Sequence, residues 1–184
     1  MVESLMRPQL HLPLVVLLLC GCGSDGSSPS PPSPQPSPIT PAGCMAAAQE
    51  EMLRLVNDAR SAARACGNTQ HAVAPALGWN CQLQEAALVH SRDMASNNFL
   101  DHMGSDGLQA QDRIEAAGYT WQTFGENISG GQDSAAEVVD SWLTSPGHCR
   151  NTMNPAFTEL GMGSAFNASA RFRIYWTQVL AAPR

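Results

Sequence analysis

The segment from Gly23 to Pro41 is mostly Ser, Pro and Gly, and it limits where this chain of 184 residues can fold. Such a composition buries too little apolar surface to form a core, and its prolines favour extended polyproline II structure. We therefore predict a flexible tether over residues 22–43 and one folded domain over residues 44–184. Hydrophobic residues make up 43% of the chain, which is enough for a packed core in that domain.

An apolar run from Leu10 to Leu19 precedes the tether and follows Arg7. The run is too short to span a bilayer and is typical of the central region of a signal peptide. We predict a cleaved signal peptide over residues 1–21, with either Met1 or Met6 as the initiator. The domain is then expected to work outside the cytoplasm.

The apolar run ends in Leu19-Cys20-Gly21-Cys22, which resembles the bacterial lipobox, where the last cysteine receives the lipid. We expect lipidation at Cys22 and attachment to a membrane through the acyl chains. This places the protein in the cell envelope, with the outer membrane or cell surface favoured.

The formal net charge of −6 argues against nucleic acid as a partner, since phosphate binding requires a basic face. We expect a monomer.

Four cysteines fall within the predicted domain: Cys44, Cys66, Cys81 and Cys149. An even number in an exported domain predicts two disulfides, and four cysteines allow three connectivities. We favour Cys44–Cys81 together with Cys66–Cys149, because the first pair would tie the starts of two helices together. The other two connectivities remain open at this stage.

Apolar residues at helical spacing predict helices over about 45–64, 81–98 and 108–117, and a further helix from Asp133 to a break at Pro146-Gly147. A short strand is expected over 124–129. Two longer strands, about 158–166 and 171–180, are expected to form a hairpin across a turn at 167–170. This order of helices and strands predicts an α+β fold with helices covering a sheet.

Familiar catalytic signatures are absent from the sequence: HExxH, GxSxG, SxxK and the P-loop do not occur. His102, Glu126 and His148 instead stand out, because each lies at the end of a predicted segment. Two imidazoles and one carboxylate can bind a divalent metal such as Zn²⁺, or can form a polar network without metal.

Several ordered motifs resemble the CAP superfamily, which comprises cysteine-rich secretory proteins, antigen 5 and plant pathogenesis-related proteins. They are His90-Ser91-Arg92-Asp93-Met94, Phe99-Leu100-Asp101-His102, Gly125-Glu126-Asn127-Ile128, Trp142-Leu143-Thr144-Ser145-Pro146-Gly147-His148, Leu160-Gly161-Met162-Gly163 and Tyr175-Trp176-Thr177-Gln178-Val179. The resemblance covers about 45–180 and is closest to the bacterial SCP-like branch. It implies an α-β-α sandwich with a small, mostly antiparallel central sheet flanked by helices.

The resemblance also implies a central cavity with two His and two Glu. His102, Glu126 and His148 match three of these, whereas Ser145 stands where the family has its second Glu. Asn127 is expected to bond to backbone in a neighbouring loop. The candidate metal ligands are His102, His148 and Glu126, although with one carboxylate fewer the four-residue site is incomplete.

Three functions are compatible with these residues. We favour a binding module for a lipid, metal or protein ligand that uses the His/Glu cavity, because no nucleophile stands beside a base. A metal-assisted hydrolase with Glu126 as general base is the second interpretation. An envelope scaffold without a working site is the third.

Overall fold

The computed structural model describes residues 43–184. The predicted signal peptide, the lipidation site at Cys22 and all of the tether before Gly43 lie outside the described residues, so those predictions stay predictions. Among residues 43–184, each helix is either too short or too polar to cross a bilayer.

The described elements follow the order α1, β1, β2, β3, α2, α3, β4, α4, α5, β5, β6. The helices are α1 (Ala47–Arg60), α2 (Cys81–Asn97), α3 (Ala110–Ala116), α4 (Ala135–Thr144) and α5 (Pro146–Thr152). The strands are β1 (Arg64–Cys66), β2 (Thr69–His71), β3 (Gly78–Trp79), β4 (Trp121–Gly130), β5 (Glu159–Phe166) and β6 (Ile174–Pro183).

The central sheet has four strands in the order β3-β5-β6-β4. Only the short β3 runs parallel to its neighbour β5, and the other two pairings are antiparallel. The β5–β6 hairpin pairs Glu159 with Ala181 at one end and Phe166 with Ile174 at the other. β4 is therefore an edge strand.

Helices cover both faces of this sheet, and alternation along β5 shows how. Leu160 and Met162 face a core that includes Met52, Val56, Val138, Val139 and Trp142 from α1 and α4. Gly161 and Gly163 face α2, where a Cβ atom on either glycine would lie within 2.5 Å of the helix backbone. These two glycines let α2 pack directly against the sheet. The observed fold is the predicted α-β-α sandwich.

Within residues 43–184, two disulfides link separate elements, with the connectivity favoured from the sequence. Cys44–Cys81 links the residues before α1 to the first residue of α2. Cys66–Cys149 links β1 to α5 across a separation of 83 residues. Each bridge restricts the unfolded chain and contributes about 2–4 kcal/mol.

Some element boundaries differ from the sequence prediction. Helix α1 ends at Arg60 rather than at residue 64, because residues 64–66 pair with 69–71 in a hairpin that turns at Gly67 with φ +63°. Pro146 does end α4, but it also begins α5, which the sequence prediction missed. Proline is favoured at the first position of a helix, where its missing N–H costs nothing.

Candidate functional site

The candidate site is built around the edge strand β4, at Glu126 and Asn127. Successive residues of a strand point to opposite faces of the sheet. Glu126 accordingly meets α3 and the loop before it, whereas Asn127 meets α5. His102 therefore contacts β4 on one face of the sheet, and the backbone of His148 contacts it on the other face.

Glu126 is a buried carboxylate whose two oxygens both have charged or chargeable partners. The Nδ1–H of His102 donates to Oε1 at 2.7 Å, and Nη2 of Arg113 donates to Oε2 at 2.8 Å. The side chains of Glu126 and Arg113 are only 4% and 6% exposed, while that of His102 is 52% exposed. The buried Glu126 carboxylate thus positions the accessible His102 imidazole.

Arg113 also fixes the loop that carries His102. Its Nη2 donates to the His102 carbonyl at 3.0 Å and its Nη1 donates to the Leu108 carbonyl at 3.0 Å. The sequence prediction missed this residue, since an isolated arginine belongs to no motif. A signal was nevertheless present: Arg113 shares the buried stripe of α3 with Ala110 and Ile114, and a charge on such a stripe requires a partner.

The same loop is held from beneath by His90. Its Nε2–H donates to the Asp101 carbonyl at 2.8 Å, and the ring is fully buried on α2. Burial lowers the pKa of His90, which favours the neutral imidazole. His90 therefore has a structural role: it fixes the backbone of Asp101, the residue just before His102.

Opposite shifts in pKa follow from these contacts. Burial by itself would raise the pKa of Glu126, but the hydrogen bond from His102 and the charge of Arg113 outweigh it, so that pKa is lowered. The hydrogen bond to Glu126 raises the pKa of His102 in spite of its partial burial. The arrangement favours an ionised carboxylate with a protonated imidazole above it.

On the other face of β4, Asn127 belongs to a buried network of neutral amides. Its Nδ2 donates to Gln178 Oε1 at 2.7 Å and to the His148 carbonyl at 3.2 Å, and its Oδ1 accepts from Asn151 Nδ2 at 2.9 Å. Asn127 has no exposed surface. It bonds to the backbone of His148, as predicted, although that residue lies in helix α5 rather than in a loop.

The ring of His148 is half-buried at the start of α5 and interacts with His102 electrostatically. Burial lowers the pKa of His148, and the charge of His102 lowers it further. The two rings therefore respond to each other, and the first protonation is expected at His102. Ser145 lies between α4 and α5, and its side chain makes no capping hydrogen bond to α5.

The metal-ligand interpretation does not fit these side chains. Both oxygens of Glu126 are already engaged, and the Arg113 guanidinium beside them would repel a divalent cation. Within residues 43–184, no group of three or more His, Cys, Asp or Glu side chains is arranged to hold a metal. Glu126 therefore has no free oxygen to offer a metal alongside His102 and His148, and the sequence could not show the contact with Arg113 that occupies one of those oxygens.

A comparison with protein families agrees with the fold and with the position of these motifs. Residues 53–180 match the model of the cysteine-rich secretory protein family, CAP, which covers more than half of the chain. The chain belongs to the CAP family. The matched range contains His102, Arg113, Glu126, Asn127 and His148.

Bacterial relatives are similar to parts of this CAP domain. The "Uncharacterized protein YkwD" of Bacillus subtilis is 36% identical over 96 residues, which is 52% of this chain and 35% of that protein. The "Uncharacterized membrane protein YlbC" of the same organism is 34% identical over 87 residues, covering 47% of this chain and 25% of that protein. The chain therefore matches only about a third or less of the length of these relatives.

Solved structures show the same fold. An extracellular protein containing an SCP domain from Bacillus anthracis is 30% identical with a TM-score of 0.58, and the match covers 72% of this chain and 39% of that one. An outer surface protein of Borrelia burgdorferi is 17% identical with a TM-score of 0.56, covering 73% and 95% of the two chains. The second likeness is one of fold alone.

Proposed function

We propose that this CAP domain is an extracytoplasmic binding module that takes an acidic group of its ligand at His102, whose charge also acts on His148. The observation that carries the proposal is the double engagement of Glu126 by His102 and Arg113. A carboxylate held in this way positions an exposed imidazole rather than serving as a free general base.

Charge supports an acidic ligand group. Arg113 and Glu126 neutralise each other beneath the surface, so the positive charge of a protonated His102 is left to interact with the adjacent Asp101 carboxylate, which also raises its pKa, and with an acidic ligand group. The ring is exposed, and its second nitrogen can donate to a carboxylate or phosphate oxygen. A lipid or a protein carrying such a group would suit this site.

The metal-assisted hydrolase has less support. Its general base would be Glu126, which is buried and already bonded through both oxygens. The scaffold interpretation differs from the binding module in one respect, since it requires no ligand to contact the exposed face of His102.

Simple anions test the proposal directly. Histidine NMR signals of the full chain are followed while inorganic phosphate and, separately, acetate are added at about pH 6, below the ordinary histidine pKa. We expect saturable shifts at His102 and smaller shifts at His148, which are lost in His102→Gln and kept in His71→Gln, a change in strand β2. Absence of any saturable shift at His102 would refute the proposal.

A zinc titration under the same conditions tests the metal-site interpretation against the binding module. We expect weak shifts or none, because Glu126 is not available as a ligand. Tight zinc binding that requires His102, His148 and Glu126 together would favour the metal site instead.

The location at a membrane is a separate proposal, which follows from the sequence at Leu19-Cys20-Gly21-Cys22. Acyl chains on Cys22 would hold the domain in the cell envelope as a monomer at the end of its tether. Radiolabelled palmitate should enter the protein and should fail to enter Cys22→Ala. Equal labelling of both proteins would contradict lipidation at this cysteine.

A further inference from the structure

The tip of the β5–β6 hairpin concentrates positive charge in an otherwise acidic chain. The sequence contains no Asp or Glu after Glu159, whereas Arg171 and Arg173 lie in the seven-residue connection between the two strands. Both arginines are exposed. Among the residues described by the structure, neither guanidinium forms a salt bridge.

Aromatic rings accompany these two charges. Phe166 is 61% exposed, the largest exposed fraction among the big hydrophobic residues of the described part. The Arg173 guanidinium lies 5.7 Å from the centre of the Phe166 ring, and that of Arg171 lies 4.9 Å from the centre of the Phe172 ring. The tip thus pairs an exposed apolar side chain with two unneutralised cations.

The tip is held in one conformation before any partner arrives. Asn98 Oδ1, at the end of α2, accepts from the Arg171 backbone N–H at 2.7 Å, and Asn167 Nδ2 donates to the Ala95 carbonyl at 2.7 Å. A preorganised surface loses less entropy on binding than a mobile loop.

The backbone of Arg173 adds an independent indication. Its φ of 63° is in the left-handed region, where glycine or asparagine is favoured. An arginine in this conformation places its side chain at a cost to folding, and such positions often serve a function.

We propose that this tip, formed by Phe166, Arg171 and Arg173, binds the surface of an anionic lipid bilayer. Guanidinium groups pair with lipid phosphates, while an exposed apolar ring such as that of Phe can be buried at the boundary between headgroups and acyl chains. A soluble polyanion would match the two charges but would leave the exposed Phe166 ring without an apolar environment. The combination of charge and exposed ring therefore favours a membrane.

The test measures binding to vesicles by flotation. Every protein is the full chain carrying Cys22→Ala, so that no attached acyl chain contributes. The apolar run from Leu10 to Leu19 is the same in all of them, so differences between variants report on the tip. Vesicles of phosphatidylcholine alone are compared with vesicles of phosphatidylcholine and phosphatidylglycerol in equal amounts. We expect binding to the anionic vesicles that weakens as salt concentration rises.

Matched variants locate the contact. Arg171→Gln/Arg173→Gln should weaken binding to the anionic vesicles on the order of thirtyfold. Arg92→Gln/Arg150→Gln removes the same charge from exposed positions elsewhere and should change binding little. Likewise, Phe166→Ser should weaken binding, and Val73→Ser, at a residue that is 59% exposed, should not. Equal losses in the tip and control variants would overturn the proposal.

Two further results guard against misfolding and against another partner. Arg173→Gly relieves the left-handed backbone, so its melting temperature should not fall while its vesicle binding does. Dextran sulfate serves as the soluble polyanion. If the tip variant loses binding to dextran sulfate yet keeps full binding to vesicles, the membrane proposal is wrong.

Discussion

Arg60 and Arg113 are both buried arginines on helices, yet their surroundings differ in kind. Arg60 on α1 is fully buried and donates only to backbone carbonyls, those of Pro75, Thr152, Asn154 and Phe157. Arg113 on α3 is 7% exposed, and it donates to a carboxylate as well as to two carbonyls. Of the two, Arg113 is the one connected through Glu126 to an exposed histidine, His102.

This contrast shows how a structural charge can be told from one that serves a site. Arg60 gathers four carbonyls from the loop after β2 and from the chain around the end of α5, so it holds the fold together. Burial lowers its pKa to about 10, which leaves it charged at neutral pH. Arg113 instead keeps Glu126 ionised, and that ionised carboxylate sets the position and the pKa of His102.

The largest expected effect is on the fold and comes from Arg60→Leu. Four buried or partly buried carbonyls would lose a charged donor, and we expect unfolding free energy to fall by about 4–5 kcal/mol. Urea denaturation measures this loss. The pKa of His102 should stay as in the wild type; a shift there would mean that the two regions are coupled.

Arg113→Leu comes next and separates the regions more sharply. It leaves Glu126 buried with His102 as its remaining partner, and we expect a loss of about 3 kcal/mol. Because the guanidinium charge lowers the pKa of His102 and that of Glu126, both values should rise in this variant. An NMR titration that found the pKa of His102 unchanged would contradict the proposed role of Arg113.

His102→Gln should have the smallest effect on stability, because the imidazole is about half exposed. We expect less than about 1 kcal/mol. The raised pKa of His102 makes its contribution complete below pH 6.5, and this contribution is lost as pH rises through the folded-state value. The lowered pKa of Glu126 makes its contribution complete above pH 4.5, and this one is lost as pH falls.

The destabilisation by His102→Gln should therefore be greatest between about pH 4.5 and 6.5 and should shrink above that window. Denaturation of both proteins across this pH range measures it. A difference that grew with pH above 6.5 would show that the sign of the coupling is wrong.

Periodicity and motifs predicted most of the fold. Helical spacing identified α1, α2, α3 and α4, and alternation identified β5 and β6. The prediction of β6 began three residues early, because Arg171, Phe172 and Arg173 continue the alternating pattern although they belong to the hairpin tip. The pattern reports which residues alternate and cannot show that Asn98 bonds to the Arg171 N–H and pins the connection.

The candidate site was predicted less completely. His102 and Glu126 are in contact as the motifs implied, and Asn127 bonds to the backbone of His148. The state of the carboxylate could not be predicted, since it depends on Arg113, which lies 13 residues away in sequence and reaches Oε2 only through the fold. Because of that contact, Glu126 is interpreted as a support for the His102 imidazole and not as a metal ligand.

An NMR titration of the histidine rings in the full chain measures directly whether Glu126 holds a protonated imidazole. We expect His102 to titrate above the ordinary value of 6.5 and His148 to titrate below it. A His102 ring that titrated at or below 6.5, or after His148 on acidification, would show that Glu126 does not hold a protonated imidazole.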